Sequence, residues 1–256
     1  MSRQKLKHRA RTIMLTHRRP HVLLVSLLYV LVGMLLMQII LNLSDVGQFQ
    51  IALAQQTEEA LERFNRLGVM EVLTLPTFRI TILGTVFFVA SWVFTWMMDL
   101  GYFYYAKGTA QGETLGYQSL LEGFNYFVKG VLIRLIRVIV VTLGLLLFIL
   151  PGIFLRAAFS QVEPLLLDHP KKSVFWVFRE SWRLMRGRIW EYLLLRLSFF
   201  GWIVLRGMVA MFLPPFSYIV QLWLTPYLTL TRVNYYHALT GQEPPEPEPD
   251  WQRPGL

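Results

Sequence analysis

The chain has 256 residues, 54% of them hydrophobic and only 16% charged, with a net charge of +9 and no cysteine. A soluble domain carries about 25% charged residues, so this composition excludes an ordinary water-soluble globule. The missing cysteines exclude disulfide frameworks, thiolate metal sites and a cysteine nucleophile. The cationic surplus flanks apolar runs, where Lys and Arg fix membrane orientation. No RNA-reading aromatic motif accompanies it, so nucleic acid is not an expected partner.

Residues 1–20 hold Arg3, Lys5, Lys7, Arg9, Arg11, Arg18 and Arg19 and no acid, with Leu6, Ile13, Met14 and Leu15 as a partial apolar side. This fits a basic helix on an anionic inner leaflet, at about 1 kcal/mol per basic residue near the surface. It fits equally a flexible positive flank that only sets orientation. Residues 21–43 form a first, uncharged span, long enough to cross a core of about 30 Å and longer than the apolar region of a cleavable signal peptide. Residues 44–77 are acidic. Glu59–Arg63 and Glu62–Arg66 are favourably oriented i,i+4 pairs, which predicts an amphipathic helix on the outer face.

A second span covers 80–105, with Asp99 as its only charge and Lys107 marking its inner end. Tyr102, Tyr104 and Tyr105 sit where an interfacial belt belongs. Residues 108–130 form a polar connector whose Tyr117, Leu120, Leu121, Phe124 and Phe127 predict a second surface helix. A third span covers 131–150, and Pro151-Gly152 is expected to break it. The short fourth span, 153–167, contains Arg156, Gln161, Glu163 and Pro164.

Residues 168–188 are basic. Phe175, Phe178, Trp182, Met185 and Ile189 share one helical face, and Lys172, Arg179, Arg183 and Arg186 share the next. That arrangement fits a helix lying in the membrane interface, or one held in a partner's groove. Arg3, Lys5, Lys7, Arg9, Arg11, Lys171, Lys172, Arg179, Arg183 and Arg186 therefore form the candidate anionic-lipid surface. A fifth span covers 189–213, with Arg196 and Arg206, and Pro214-Pro215 ends it. A sixth covers 216–239, through Pro226 to an expected belt at Tyr235-Tyr236. The tail from 242 is Pro-rich and acidic and is expected to be extended and disordered.

The expected fold is all-α: a polytopic transmembrane bundle of about six spans with interfacial amphipathic helices. Residues 1–241 form one membrane domain followed by the 242–256 tail, with both termini cytoplasmic. This places Asp99, Arg134, Arg137, Glu163, Arg196 and Arg232 in the inner half of the bilayer. A charge at the bilayer centre costs about 2.5–3.5 kcal/mol or more, so such groups pair or snorkel. Glu163 or Asp99 is expected to meet Arg196. The cluster reads either as an inward-facing polar cavity for a lipid headgroup or small anion, or as a set of structural ion pairs.

Histidines 8, 17, 21, 169 and 237 lack metal spacing and are expected at solvated surface. Ser160, Ser181 and Ser198 lack a nucleophile elbow, and no nucleotide or metalloprotease motif is present. No cofactor and no enzymatic activity are expected. Ser198 and Gly201 are expected to let helices approach closely.

An ordered series of short motifs runs through the chain: L-K-H-R-A-R at 6–11, L-P-G-I-F at 150–154 and L-L-L-D-H-P at 165–170, then S-W-R-L-M-R-G at 181–187, L-S-F-F-G-W at 197–202, P-Y at 226–227 and Tyr235-Tyr236. The series resembles the DUF975 family of bacterial integral membrane proteins, densely from residue 150 onward and thinly between 42 and 130. The interval 202–226 is longer than the family pattern. The resemblance implies a multi-pass bacterial membrane protein of unassigned molecular function and supplies no catalytic residues. The function expected from these readings is a non-enzymatic scaffold or accessory of the cell envelope in the plasma membrane. Its partners would be anionic inner-leaflet lipids and an unidentified membrane protein. The alternative is a small transporter or lipid-handling protein using the inner-half polar cluster.

Overall fold

The computed structural model describes residues 3–16, 21–44, 76–113 and 115–242. The expected outer helix at 45–75, the 243–256 tail and the Arg18-Arg19 pair lie outside them. The described residues are helical, with no strand among them: α1 (Arg3–Thr16), α2 (His21–Ser44), α3 (Pro76–Ala110), a 3-10 segment (Tyr117–Tyr126), α4 (Phe127–Leu147), α5 (Ile149–Ala158), α6 (Val162–Asp168), α7 (Val174–Met185), α8 (Ile189–Leu197), α9 (Phe200–Phe212) and α10 (Pro214–Thr240). The chain divides into two compact units, Met1–Val30 with Trp96–Leu256, and Leu31–Thr95. The second is described at the helical residues 31–44 and 76–95.

Among the described residues four stretches are long and apolar enough to cross a membrane: Val86–Ala110, Tyr117–Leu147, Ile149–Asp168 and Ile189–Phe212. They expose apolar side chains in quantity. On α4, Val128 is 69% and Leu146 77% exposed, while Gly130, Ile133 and Gly144 face inward. Long apolar helices whose outer faces remain apolar fit lipid as solvent.

The first unit holds two packed cores. In one, Leu100 and Phe103 of α3, Ile133 of α4, Leu165 and Leu166 of α6 and Leu230 of α10 meet. In the other, Leu6 of α1 packs with Met185, Ile189, Tyr192 and Tyr235. The apolar side of α1, comprising Leu6, Ala10 and Ile13, is therefore buried against protein rather than available to a leaflet. Lys7 donates from Nζ to the Ser198 carbonyl at 3.1 Å and lies 4.2 Å from the Phe199 ring centre, tying α1 to the α8–α9 junction. Burial, and then the Arg3 charge, pull its ammonium below the usual lysine range.

The covering by α1 revises the expected aromatic belts. Tyr235 and Tyr236 are each 1% exposed, and Tyr102 and Tyr105 are also interior. Their phenols sit inside the bundle where a partner is in reach, as buried tyrosines do: Tyr102 bonds Ser26 at 2.7 Å and Tyr236 donates to Asp168 at 2.5 Å.

The break after the third span falls at Phe148, whose backbone is extended (φ −159°, ψ 148°), and not at Pro151-Gly152. Pro151 occupies the first turn of α5, where its missing N–H has no intrahelical partner to lose. Gly152 instead allows contact: a Cβ there would press on Leu145 of α4. Gly201, expected at a close helix contact, has nothing within 4 Å of a Cβ position.

Residues 117–126 form a 3-10 turn rather than a surface α-helix. At three residues per turn Leu120 and Gly123 share the inward face, while Leu121 on the next face is 59% exposed and Tyr117, at the start of the segment, 62%. The segment lies backbone to backbone on α3: a Cβ on Gly101 would strike the Leu120 carbonyl, and one on Gly123 the Met97 carbonyl. This contact leads the chain into α4 beside Asp99.

α7 starts at Ser173, whose side chain accepts from the Trp176 N–H at 3.2 Å. Its interior face is Val177, Ser181 and Met185. The expected aromatic face is split: Met185 and Ile189 are buried, whereas Phe175 (79%) and Trp182 (43%) stay exposed beside exposed Arg179, Arg183 and Arg186.

Candidate functional site

Trp96, Asp99 and Phe103 recur at i, i+3 and i+7, which puts them on one face of α3. Arg134 and Arg137 share a face of α4 for the same reason. Glu163 sits in the first turn of α6, after the Phe159–Ser160–Gln161 break that ends α5. That break frees helix-end carbonyls. The Ser181 hydroxyl of α7 donates to one of them, Ala158 O, at 2.8 Å, and so fixes where α6 begins.

These elements converge on one ionic network. The Arg134 guanidinium bridges two carboxylates, bonding Glu163 through Nη1 and Asp99 through Nη2, the latter at 2.8 Å. Glu163 Oε1 also accepts from Arg137 at 3.0 Å, and Oε2 accepts from Arg232 of α10 at 3.1 Å. The Tyr29 hydroxyl of α2 donates to the other oxygen of Asp99. Aromatic faces back two of the cations: Arg134 lies 5.6 Å from the Trp96 ring centre and Arg232 5.4 Å from that of Phe103. Five helices are thus tied through two acids. The Glu163 side chain, with three guanidiniums around it, is 11% exposed. A cavity of about 10 Å³, lined by Trp96, Met97, Leu100, Ile133, Arg134 and Glu163 among others, adjoins the pair. That is room for about one water molecule.

Of the six candidate residues, Asp99, Arg134, Arg137, Glu163 and Arg232 come together. The expected pairing of Arg196 does not occur: no ion pair joins it to Asp99 or Glu163. Both acids are already occupied by arginines from α4 and α10, and one-dimensional depth had not distinguished those from Arg196. Arg156 forms no ion pair with Glu163 either, the helix being interrupted between them.

A second polar link joins the C-terminal ends of α3, α6 and α10. Lys107 forms an ion pair with Asp168, and Tyr236 donates to the same carboxylate at 2.5 Å. Sequence reading had used Lys107 and Asp168 only as markers of the membrane boundary. The D-H-P motif after an apolar run carries no sign of a partner 61 residues earlier. His237, expected at solvated surface, is fully buried. His169 stays exposed, edge-on to Trp176 at 5.1 Å. Ser198 donates to the Leu195 carbonyl at 2.6 Å, a local helix-end contact. Among the described residues no group of three His, Asp or Glu side chains has a metal-binding arrangement.

Of the candidate lipid surface, Arg3, Lys5, Arg11, Lys171, Lys172, Arg179, Arg183 and Arg186 are exposed, whereas Lys7 and Arg9 are partly buried. The basic surface is therefore densest on α7 and the turn before it.

Among the described residues the regular elements are all helical, four stretches are long and apolar enough to span a membrane, and charges fold inward against one another, features that fit a membrane protein. Residues 119–243, just under half of the chain, match the family model described as Protein of unknown function (DUF975). The match covers α4 to α10 and so four of the five ionic residues, but neither Asp99 nor Tyr29. No curated protein and no solved structure matches the chain.

Proposed function

We propose that the chain is a non-enzymatic scaffold or accessory of the bacterial cell envelope, threaded through the plasma membrane with both termini on the cytoplasmic side. The observation that carries this reading is the closure of the inner ionic network. Each carboxylate is matched by arginines from other helices, and the adjoining cavity has space for about one water. A substrate route needs polar groups that face water-filled space. A brace needs them paired: the pairing supports this reading, with Glu163 11% exposed at its centre and Asp99 and Arg232 about 30% exposed at its edges.

The outward-facing chemistry lies on α7. Exposed Phe175 and Trp182 beside Arg179, Arg183 and Arg186 suit a helix seated at an anionic leaflet. A scaffold uses such a surface to hold its orientation and to gather partners near the inner leaflet. The test is purification from membranes in mild detergent with mass spectrometry of bound proteins and lipids, on the wild type and on an Arg179→Glu, Arg183→Glu variant. The scaffold reading expects a reproducible set of envelope proteins that the variant loses. No companion for the wild type, or the same companions for both, contradicts it.

A further inference from the structure

Arg156 on α5 and Arg196 on α8 remain outside the network. The two helices pack against each other; Arg196 interacts first with the Tyr192 phenol of its own helix, and the charges of Arg232, Arg156 and Glu163 also act on it. Among the described residues no carboxylate pairs with Arg156 or Arg196. Counting both, five guanidiniums share this region with Asp99 and Glu163, a surplus of three positive charges. The surplus lies on the outer side: Arg156 is exposed and Arg196 half-buried. Around them the surface is apolar, with Ile153 41%, Phe154 41% and Leu197 62% exposed. Guanidiniums without a carboxylate partner in an apolar, span-length surface either snorkel to the interface or take up a counter-anion. The planar guanidinium fork matches the oxygens of a carboxylate or a phosphate, and phosphate is the group that every phospholipid carries.

We propose that Arg156 and Arg196 together hold one phosphate-bearing anion on the flank of α5 and α8. A phospholipid headgroup supplies that chemistry with acyl chains that lie on Ile153, Phe154 and Leu197; a soluble phosphate supplies the headgroup chemistry alone. Its two arginines lie on α5 and α8 and not on α7, but Phe154 meets Trp182 of the α7 surface edge-on at 6.1 Å, so an α7 variant is needed to tell the two apart.

The test uses the full chain purified in detergent. Native mass spectrometry follows retention of added phosphatidylglycerol, and thermal unfolding follows the response to inorganic phosphate against chloride. Wild type is compared with R156Q, with R156Q/R196Q and, as a control for the α7 surface, with R179Q/R183Q. The proposal expects one tightly held phosphatidylglycerol per chain. R156Q/R196Q should weaken it about tenfold and R156Q alone severalfold, while R179Q/R183Q leaves it in place. If phosphatidylglycerol retention is the same in all, but inorganic phosphate raises the melting temperature of the wild type and not of R156Q/R196Q, the anion is soluble phosphate and the site stands. Because Arg156 is exposed, R156Q serves if the double variant fails to fold. Indifference of both measurements to R156Q/R196Q, or to R156Q where only that variant folds, overturns the proposal.

Discussion

Arg232 reaches Glu163 at 3.1 Å across 69 residues of sequence, joining the last helix to a seven-residue helix in the middle of the chain. Glu163 is held at the same time by Arg134 and Arg137, so one carboxylate neutralises part of three cations. Replacing Glu163 by Gln leaves those guanidiniums facing one another with no charge between them. Removing one partner of a buried ion pair costs about 3–5 kcal/mol. Glu163→Gln is expected to fall near the lower end, because the amide still accepts hydrogen bonds. Arg137→Gln is expected to cost less, since Arg134 and Arg232 continue to hold Glu163. Denaturant unfolding in a fixed detergent, read by tryptophan fluorescence, checks both the size and the order.

The Tyr29–Asp99 bond ties α2 to the network. Its ring also stacks on Tyr102 at 4.7 Å between centres, and that contact survives in Tyr29→Phe. The substitution therefore isolates the hydroxyl. Hydrogen bonds to a charged group contribute about 1.5–3 kcal/mol, so a loss of about 2 kcal/mol is expected in the same unfolding measurement. An unchanged midpoint would show that Asp99 is held by Arg134 alone.

The backbone contact between α3 and the 3-10 segment admits no side chain at Gly101. Its nearest obstruction is the Leu120 carbonyl, part of the main chain, which cannot rotate away as a side-chain tip can. Gly101→Ala is expected to cost about 1–3 kcal/mol, the usual range for overpacking. Gly116→Ala is the matched control. Gly116 has extended backbone (φ −90°, ψ −177°) and open space around a Cβ position. It should stay within about 0.5 kcal/mol of wild type. Melting temperatures of the two variants side by side decide it.

Much of this fold is legible in the sequence. Apolar run length and the sites of Lys and Arg give the helical membrane class. The motif series resembles the family whose model matches residues 119–243. The need to pair intramembrane charge singles out Asp99, Arg134, Arg137, Glu163 and Arg232. What sequence does not give is lateral arrangement. Depth along a helix places Arg196 level with Glu163, but which helix stands beside α6 depends on contacts such as Gly101 on Leu120 and Gly144 near Gly152. The tyrosine belts fail for a related reason. An interfacial tyrosine and one buried under α1 look alike until Leu6, Ala10 and Ile13 are seen to cover α10. The break at Phe148 escapes because Pro151 is conspicuous, yet a proline is tolerated in a first turn.

Lys107 and Asp168 form the second tie between helices, with Tyr236 on the same carboxylate. Lys107→Met strands Asp168, and Asp168→Asn strands Lys107. Each is expected to cost about 3 kcal/mol, whereas the double variant should cost clearly less than the sum, since it leaves no lone charge. A double-mutant cycle measured by unfolding checks the coupling; additive losses would mean the two groups act separately.

The central claim is that the inner charges are closed off from water, and the absence of native cysteine makes it directly measurable. Ile133 is 2% exposed and lines the small cavity beside Arg134 and Glu163, while Lys172 is on the surface. A membrane-impermeant thiol reagent is applied to Ile133→Cys and Lys172→Cys in right-side-out and inside-out vesicles. The account predicts fast labelling of Lys172→Cys from the cytoplasmic side, and labelling of Ile133→Cys only after denaturation. Labelling of Ile133→Cys in the native membrane at a rate comparable to Lys172→Cys would contradict it.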